Sequence, residues 1–164
     1  MKAELREPHL APAIVRALGA VHIIDLDQTD TYYNIPCGRL KKREAPGEPT
    51  EYIFYDRPDR AAPKLSHFVI YSEAQARDRF GAAPLPVRIV VRKRRSLYML
   101  ENVRIHLDEV EDLGHFVELE AMLTRGTPLS MCREAIARVR TALGPVIGEL
   151  IDCGYADLLQ RASA

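Results

Sequence analysis

The sequence predicts an α+β domain in which antiparallel hairpins carry helices on their outside. Two observations make that prediction. Apolar and charged residues alternate at the two-residue period of a strand in segment after segment between Gly38 and Glu120. Other segments carry apolar residues at helical spacing, framed by residues that start and stop helices. Where two alternating segments meet, as at Asp112 to Gly114, a tight turn makes them a hairpin.

The elements follow in order along the chain. Leu10, Ile14 and Leu18 recur every four residues after Pro8, and Gly19 supplies a stop, so a first helix of about ten residues is expected. Gly38-Arg-Leu-Lys-Lys-Arg-Glu44 is a strand with Arg39, Lys41 and Arg43 on one face. Glu51 to Pro58 aligns Ile53, Tyr55 and Arg57, and Lys64 to Tyr71 aligns Lys64, Ser66, Phe68 and Ile70. Ala45 to Thr50 and Ala61 to Pro63 read as exposed loops. A second helix opens at Ser72, where Ser72 and Gln75 have the spacing of a capping box, and ends near Gly81.

Val87 to Met99 begins as an apolar strand and becomes basic, with Val91, Lys93 and Arg95 on the inward parity and Arg92 and Arg94 on the outward one. Arg104, His106 and Asp108 then share a face opposite Ile105 and Leu107. After the turn, Phe116, Glu118 and Glu120 share a face opposite Val117 and Leu119. The last helix is the clearest: Thr127 can cap it, Pro128 suits its first position, and Gly144 ends it. Its apolar stripe is Leu129, Cys132, Ile136, Val139 and Leu143.

Composition bounds the class of protein. At 164 residues the chain is of single-domain size, so residues 1–164 are expected to form one domain with a substantial core. With 23 basic and 23 acidic residues the formal net charge is zero, which speaks against general attraction to nucleic acid or to an anionic membrane. Cys37, Cys132 and Cys153 are widely separated, which fits reduced thiols better than a disulfide framework or a zinc site. No apolar run approaches the roughly 20 residues of a membrane span, and the N-terminus lacks the apolar core of a signal peptide. A cytoplasmic protein, a homodimer among its possible states, is expected.

Strand parity concentrates charge despite the neutral total. If the basic faces share one space, it holds Arg39, Lys41, Arg43, Arg57, Lys93, Arg95 and Arg104, with Asp108, Glu118 and Glu120 on its other side. Cations so crowded repel one another by several kcal/mol unless an anion fills the space. A polyanion accompanied by a metal ion is the natural occupant, because paired carboxylates offer the hard oxygens that divalent cations take.

Seven segments carry a resemblance in one order: Gln28-Thr-Asp-Thr-Tyr32, Gly38-Arg-Leu-Lys-Lys-Arg-Glu44, Tyr55-Asp-Arg-Pro-Asp59, Val91-Arg-Lys-Arg-Arg95, Arg104-Ile-His-Leu-Asp108, Leu113-Gly-His-Phe-Val-Glu-Leu-Glu120 and Tyr155-Ala-Asp-Leu-Leu159. Together they resemble the CYTH superfamily, the triphosphate tunnel metalloenzymes, from about Lys2 to Leu159, and the bacterial class IV adenylate cyclase-like branch most of all. The resemblance implies an antiparallel β-barrel, the triphosphate tunnel, with helices packed outside. It implies conversion of ATP to cyclic AMP and pyrophosphate, with thiamine triphosphatase, inorganic tripolyphosphatase or a triphosphate-binding module of little turnover as alternatives. Lys2, Lys93 and Arg95 are then the catalytic candidates. Arg39, Lys41, Arg43, Arg57, Lys64 and Arg104 would bind the triphosphate, and Glu118, Glu120 and Asp108 would hold Mg²⁺ or Mn²⁺.

One departure from the family pattern stands at the start. The family's first strand carries Glu-x-Glu-x-Lys, and Lys2 aligns with its lysine, which leaves both glutamates before Met1. Glu4 lies four residues beyond the nearer glutamate position, roughly 13 Å along a strand, and cannot replace it. Either the native chain starts upstream or this member has given up part of its metal site. His106 reads more simply as a hydrogen-bonded strand residue, and Tyr32, Tyr33 and Tyr155 as packing aromatics. His9, His22, His67 and His115 lack metal-ligand spacing, and no adenine pocket is legible.

Overall fold

The structure is a computed structural model and describes residues 1–56, 67–123 and 126–162. Its elements are β1 (Lys2–Leu5), α1 (Ala11–Ala17), β2 (Val21–Tyr33), β3 (Arg39–Glu44), β4 (Glu51–Asp56), β5 (His67–Tyr71), α2 (Glu73–Phe80), β6 (Val87–Leu100), β7 (Val103–Val110), β8 (Gly114–Ala121), α3 (Leu129–Leu143), β9 (Ile147–Leu150) and α4 (Tyr155–Ala162). The nine strands form one sheet in the order β5-β4-β3-β2-β6-β7-β8-β1-β9, and the paired strands run antiparallel. This is the expected α+β architecture. Among the described residues no ladder joins the edges β5 and β9, so the sheet wraps a cavity without hydrogen-bonded closure.

Each helix end has a local cause. At the end of α1, Gly19 adopts φ +91°, its N–H donates to the carbonyl of Arg16, and the N–H of Ala20 donates to that of Val15. That pair of bonds is a Schellman cap, which needs the left-handed glycine. The predicted capping box of α2 is present: the Gln75 N–H donates to Ser72 Oγ at 3.3 Å and the Ser72 N–H to Gln75 Oε1 at 2.9 Å. In α3 the boundary differs from expectation, since Pro128 occupies the N-cap position and no side chain caps the helix. Thr127 lies one residue too early, and Gly144 ends the helix in a right-handed conformation, with Pro145 forbidding the next N–H.

The core lies outside the sheet. Ala3, Leu5, Tyr98, Leu100, Val103, Ile105, Leu107, Val117 and Leu119 turn their outer parity toward Ala11 and Val15 of α1 and Val139 and Leu143 of α3. A second apolar cluster lies at one end of the inner face, where Tyr32, Val91, Val110 and Phe116 meet Tyr155 and Ala156 of α4. Burial of each large aliphatic side chain contributes about 1.5–3 kcal/mol. With the outer face supplying the core, the inner face is free to carry charge.

Candidate functional site

The inner parity of eight strands lines a cavity of about 510 Å³. Its wall takes Leu26, Gln28, Asp30 and Tyr32 from β2, Lys41 and Arg43 from β3, Lys93, Arg95 and Leu97 from β6, Arg104 and His106 from β7, Glu118 and Glu120 from β8, and Lys2 from β1. Glu51, Ile53 and Tyr55 of β4, Phe68 and Ile70 of β5, and Glu48, Gly154 and Tyr155 complete it. Register explains the company: Tyr32 sits opposite Lys41, Asp30 opposite Arg43, Gln28 opposite Lys93, His106 opposite Glu118 and Arg104 opposite Glu120. Residues directly opposite in an antiparallel pair share a face.

Two carboxylates organise the cations. Asp30, 1 % exposed, accepts from Lys93 Nζ at 2.6 Å, from Lys41 Nζ at 2.9 Å, and from Arg43 Nε and Nη2 at 2.8 and 2.9 Å. Burial alone would raise its pKa, but Lys41, Lys93 and Arg43 hold it well below the usual carboxylate range. Burial in turn pushes Lys93 down to about 7 and Lys41 down to about 8, against the pull of Asp30. At neutral pH this cluster therefore stands near the point of releasing protons.

The second carboxylate is Asp108. It takes Arg95 in a two-pronged pair, Nε to Oδ1 at 2.7 Å and Nη2 to Oδ2 at 2.6 Å, and the Tyr155 hydroxyl donates to Oδ2 at 2.8 Å. Arg95 Nη2 also donates to Glu118 Oε2 at 3.2 Å. Lys2 Nζ donates to the carbonyl oxygen of Cys153 at 3.2 Å and lies 3.8 Å from the centre of the Tyr155 ring. Glu118 is pushed up by burial but held well below its ordinary value by Lys2, His106 and Arg95. Removing the Tyr155 hydroxyl leaves Asp108 with one donor fewer in a dry site. Tyr155→Phe is expected to lower stability by about 1.5–3 kcal/mol, read from urea midpoints; an unchanged midpoint would mean that this bond contributes nothing.

Most of the expected site residues meet. Lys2, Lys41, Arg43, Lys93, Arg95, Arg104, Glu118 and Glu120 line one cavity, with Arg92 and Arg94 exposed outside it. Arg39 does not line it; it sits opposite Tyr55 at the start of β3, with Nη1 3.9 Å from Asp157 of α4. Asp108 is likewise displaced from the expected metal position. Its oxygens are taken by Arg95 and Tyr155, which makes it the anchor of Arg95. Glu4 pairs with Arg6 at 3.2 Å on the surface and leaves the cavity wall alone. Arg57 and Lys64 lie outside the described residues.

Sequence reasoning missed Asp30, the residue on which the basic cluster turns. The signal was there: Gln28, Asp30 and Tyr32 alternate with Thr29 and Thr31, which gives Asp30 the inward parity. His106 also differs from expectation. It is buried, yet its Nδ1 has no hydrogen-bond partner, being 3.8 Å from Glu118 Oε2. Ligand atoms of His106, Glu118 and Glu120 lie within 4.8 Å of one another, so these three residues could hold a metal ion. A second hollow of about 730 Å³ shares Gln28 and Lys93 with the cavity, but Asp27, Glu44, Glu109 and Glu111 outnumber Arg92, Lys93 and Arg94 in its wall.

The profile of the CYTH domain family matches residues 1–145. The PH1012 protein of Pyrococcus horikoshii OT3 superposes with a TM-score of 0.73 at 21 % identity, covering 96 % of this chain and 98 % of that one. A conserved hypothetical protein of Pyrococcus furiosus gives 0.74 at 18 % identity, covering 96 % of both chains. A candidate adenylate cyclase of Vibrio parahaemolyticus gives 0.73 at 17 %, covering 98 % and 95 %. At these identities the likeness is one of fold. No functionally curated protein matches the chain. Among the described residues no helix is long and apolar enough to cross a membrane.

Proposed function

We propose, on the premise that the chain belongs to the CYTH domain family, that it binds a triphosphate in the 510 Å³ cavity and converts ATP to cyclic AMP and pyrophosphate. The observation that carries this reading is that six cations, the Glu118 and Glu120 pair and an apolar wall line one cavity. Lys2, Lys41, Arg43, Lys93, Arg95 and Arg104 supply positive charge, and Leu26, Ile53, Phe68, Ile70 and Leu97 supply apolar surface in the same cavity. Inorganic tripolyphosphate has nothing to offer that second wall. An adenosine does, and the likeness to the Vibrio candidate adenylate cyclase supports the choice.

In cyclisation the ribose 3′-hydroxyl attacks the α-phosphorus, the bond between the α-phosphorus and its bridging oxygen breaks, and pyrophosphate leaves. The hydroxyl proton is balanced by protonation of pyrophosphate. The chain's contribution is mainly to position the triphosphate and to neutralise its developing charge. Arg43 and Arg95 present planar forks held by Asp30 and Asp108, so their orientation exists before ligand arrives. Lys93, with a pKa near 7, can hold or release a proton at the working pH. Glu118 and Glu120 would hold Mg²⁺ or Mn²⁺, whose charge, when bound, offsets that of the phosphates.

Turnover of ATP, thiamine triphosphate and tripolyphosphate, each with Mg²⁺ and with Mn²⁺, tests the reading. Cyclic AMP with an equal yield of pyrophosphate is the expected product from ATP. Orthophosphate without cyclic AMP would replace the cyclase by a triphosphatase, and binding without turnover would leave a triphosphate-binding module. Arg104 lines the cavity and makes no ion pair among the described residues, so its positive charge is available to a phosphate. Arg104→Ala is therefore expected to weaken ATP binding by about 1–3 kcal/mol, while unfolding stays near that of the parent. Calorimetry that finds the two affinities equal would remove Arg104 from the site.

A further inference from the structure

The geometry points to a mixed nitrogen–carboxylate metal site, in which His106 Nδ1 joins Glu118 and Glu120 as a ligand and gives the cavity a preference for Mn²⁺ over Mg²⁺. Three observations carry it. His106 is 5 % exposed and lines the cavity, and its Nδ1 is, with Gln28 Oε1, one of two buried side-chain polar atoms without a partner among the described residues. A buried polar atom left without a partner costs about 1–3 kcal/mol, so it calls for an occupant. The facing register of His106 and Glu118 brings that nitrogen to the carboxylate pair, and the ligand atoms of all three residues lie within 4.8 Å of one another. Opposite ligands of an ion with bonds of about 2.1 Å lie about 4 Å apart, so small side-chain rotations close the set on one ion.

The donor set decides which ion. Mg²⁺ takes oxygen and keeps its waters, whereas an imidazole nitrogen favours transition metals. Mn²⁺ accepts both the nitrogen and the carboxylates, and lies closest to Mg²⁺ in its taste for oxygen. Neutral imidazole has one nitrogen without a proton, and with Glu118 Oε2 3.8 Å away no hydrogen bond holds the proton on Nδ1, so that atom is able to ligate. Asp108, which would have completed an all-oxygen set, is committed to Arg95 and Tyr155. The inference rests on the reading of the cavity as a triphosphate site, because substrate phosphates would supply the remaining oxygens.

Titration of the full chain with Mn²⁺, followed by electron paramagnetic resonance, tests the site without turnover. The expected result is uptake of Mn²⁺ with nitrogen modulation in the pulsed spectrum, and release of the ion only by a large excess of Mg²⁺. His106→Asn should abolish the modulation and weaken Mn²⁺ by about tenfold or more, with Mg²⁺ affected far less. Glu120→Gln, at an exposed carboxylate where folding is not at stake, should weaken Mn²⁺ yet keep the nitrogen signal at saturation. No Mn²⁺ uptake with or without ATP, bound Mn²⁺ without nitrogen modulation, or an unchanged Mn²⁺ to Mg²⁺ ratio in His106→Asn would each overturn the inference. Nitrogen-bound Mn²⁺ in a chain that turns over no triphosphate would refute the activity alone. Cyclic AMP formation with no nitrogen in the spectrum would refute this site alone.

Discussion

Asp30→Asn is expected to destabilise the ligand-free chain by about 3–5 kcal/mol, the scale for removing one partner from a buried ion pair. The asparagine keeps the shape and loses the charge on which Lys41, Arg43 and Lys93 converge at 2.6–2.9 Å. Against a net stability of about 5–15 kcal/mol for a domain, that is a large fraction. Two features separate this outcome from a general packing defect. Lys93 and Lys41, at about 7 and 8, can shed their protons, so the loss should shrink between pH 6 and pH 9. Tripolyphosphate should also raise the melting temperature of Asp30→Asn more than that of the parent, because it supplies the missing anion and binds only the folded state. A loss that is equal at both pH values and is not relieved by tripolyphosphate would mean that Asp30 is not the counter-ion of the cluster.

The fold and the cations were legible where the period of the sequence is clean. Between Gly38 and Glu44, and from Val87 to Glu120, one parity is apolar or exposed and the other charged, so parity alone placed Lys41, Arg43, Lys93, Arg95, Glu118 and Glu120 together. β2 was harder to read. It is a strand of 13 residues whose inner face is Leu26, Gln28, Asp30 and Tyr32, and a register shift between His22 and Ile24 breaks its alternation. Polar residues on both parities read as loop when only apolar residues are counted.

What sequence could not supply is partner choice. Parity puts Asp108 and Glu118 on one inner surface, but only the register of β6 against β7 sets Asp108 opposite Arg95, whose guanidinium takes both its oxygens. Arg39 has the inward parity too, and sits opposite Tyr55 beside α4, a helix that the apolar pattern did not announce. His106 looked like one more histidine on a strand. Its meaning depends on an unmade hydrogen bond, and an unmade bond has no signature in sequence.

Between pH 7 and pH 9 the affinity for ATP should fall by about two to three orders of magnitude while the ligand-free chain becomes more stable. Both trends have one cause. Burial lowers Lys93 to about 7 and Lys41 to about 8, from an ordinary 10.5, with Asp30, Arg43 and Arg95 as the charged neighbours. Above those values the folded chain has lost protons that the unfolded chain still binds, so the unfolding free energy rises with pH until the ordinary lysine range is reached. Below pH 7 both states are protonated, and the cost of burying the ammonium groups is fully present. Ligand binding runs the opposite way, since a triphosphate needs the charged form. Each lysine that must regain its proton weakens binding about tenfold per pH unit above its pKa, two units for Lys93 and one for Lys41. Calorimetry at pH 8 in two buffers of different ionisation heat should show uptake of about 1.4 protons per ATP. Affinity flat across the window with no proton uptake would mean that both lysines keep their charge in the free chain, and that Asp30 outweighs burial.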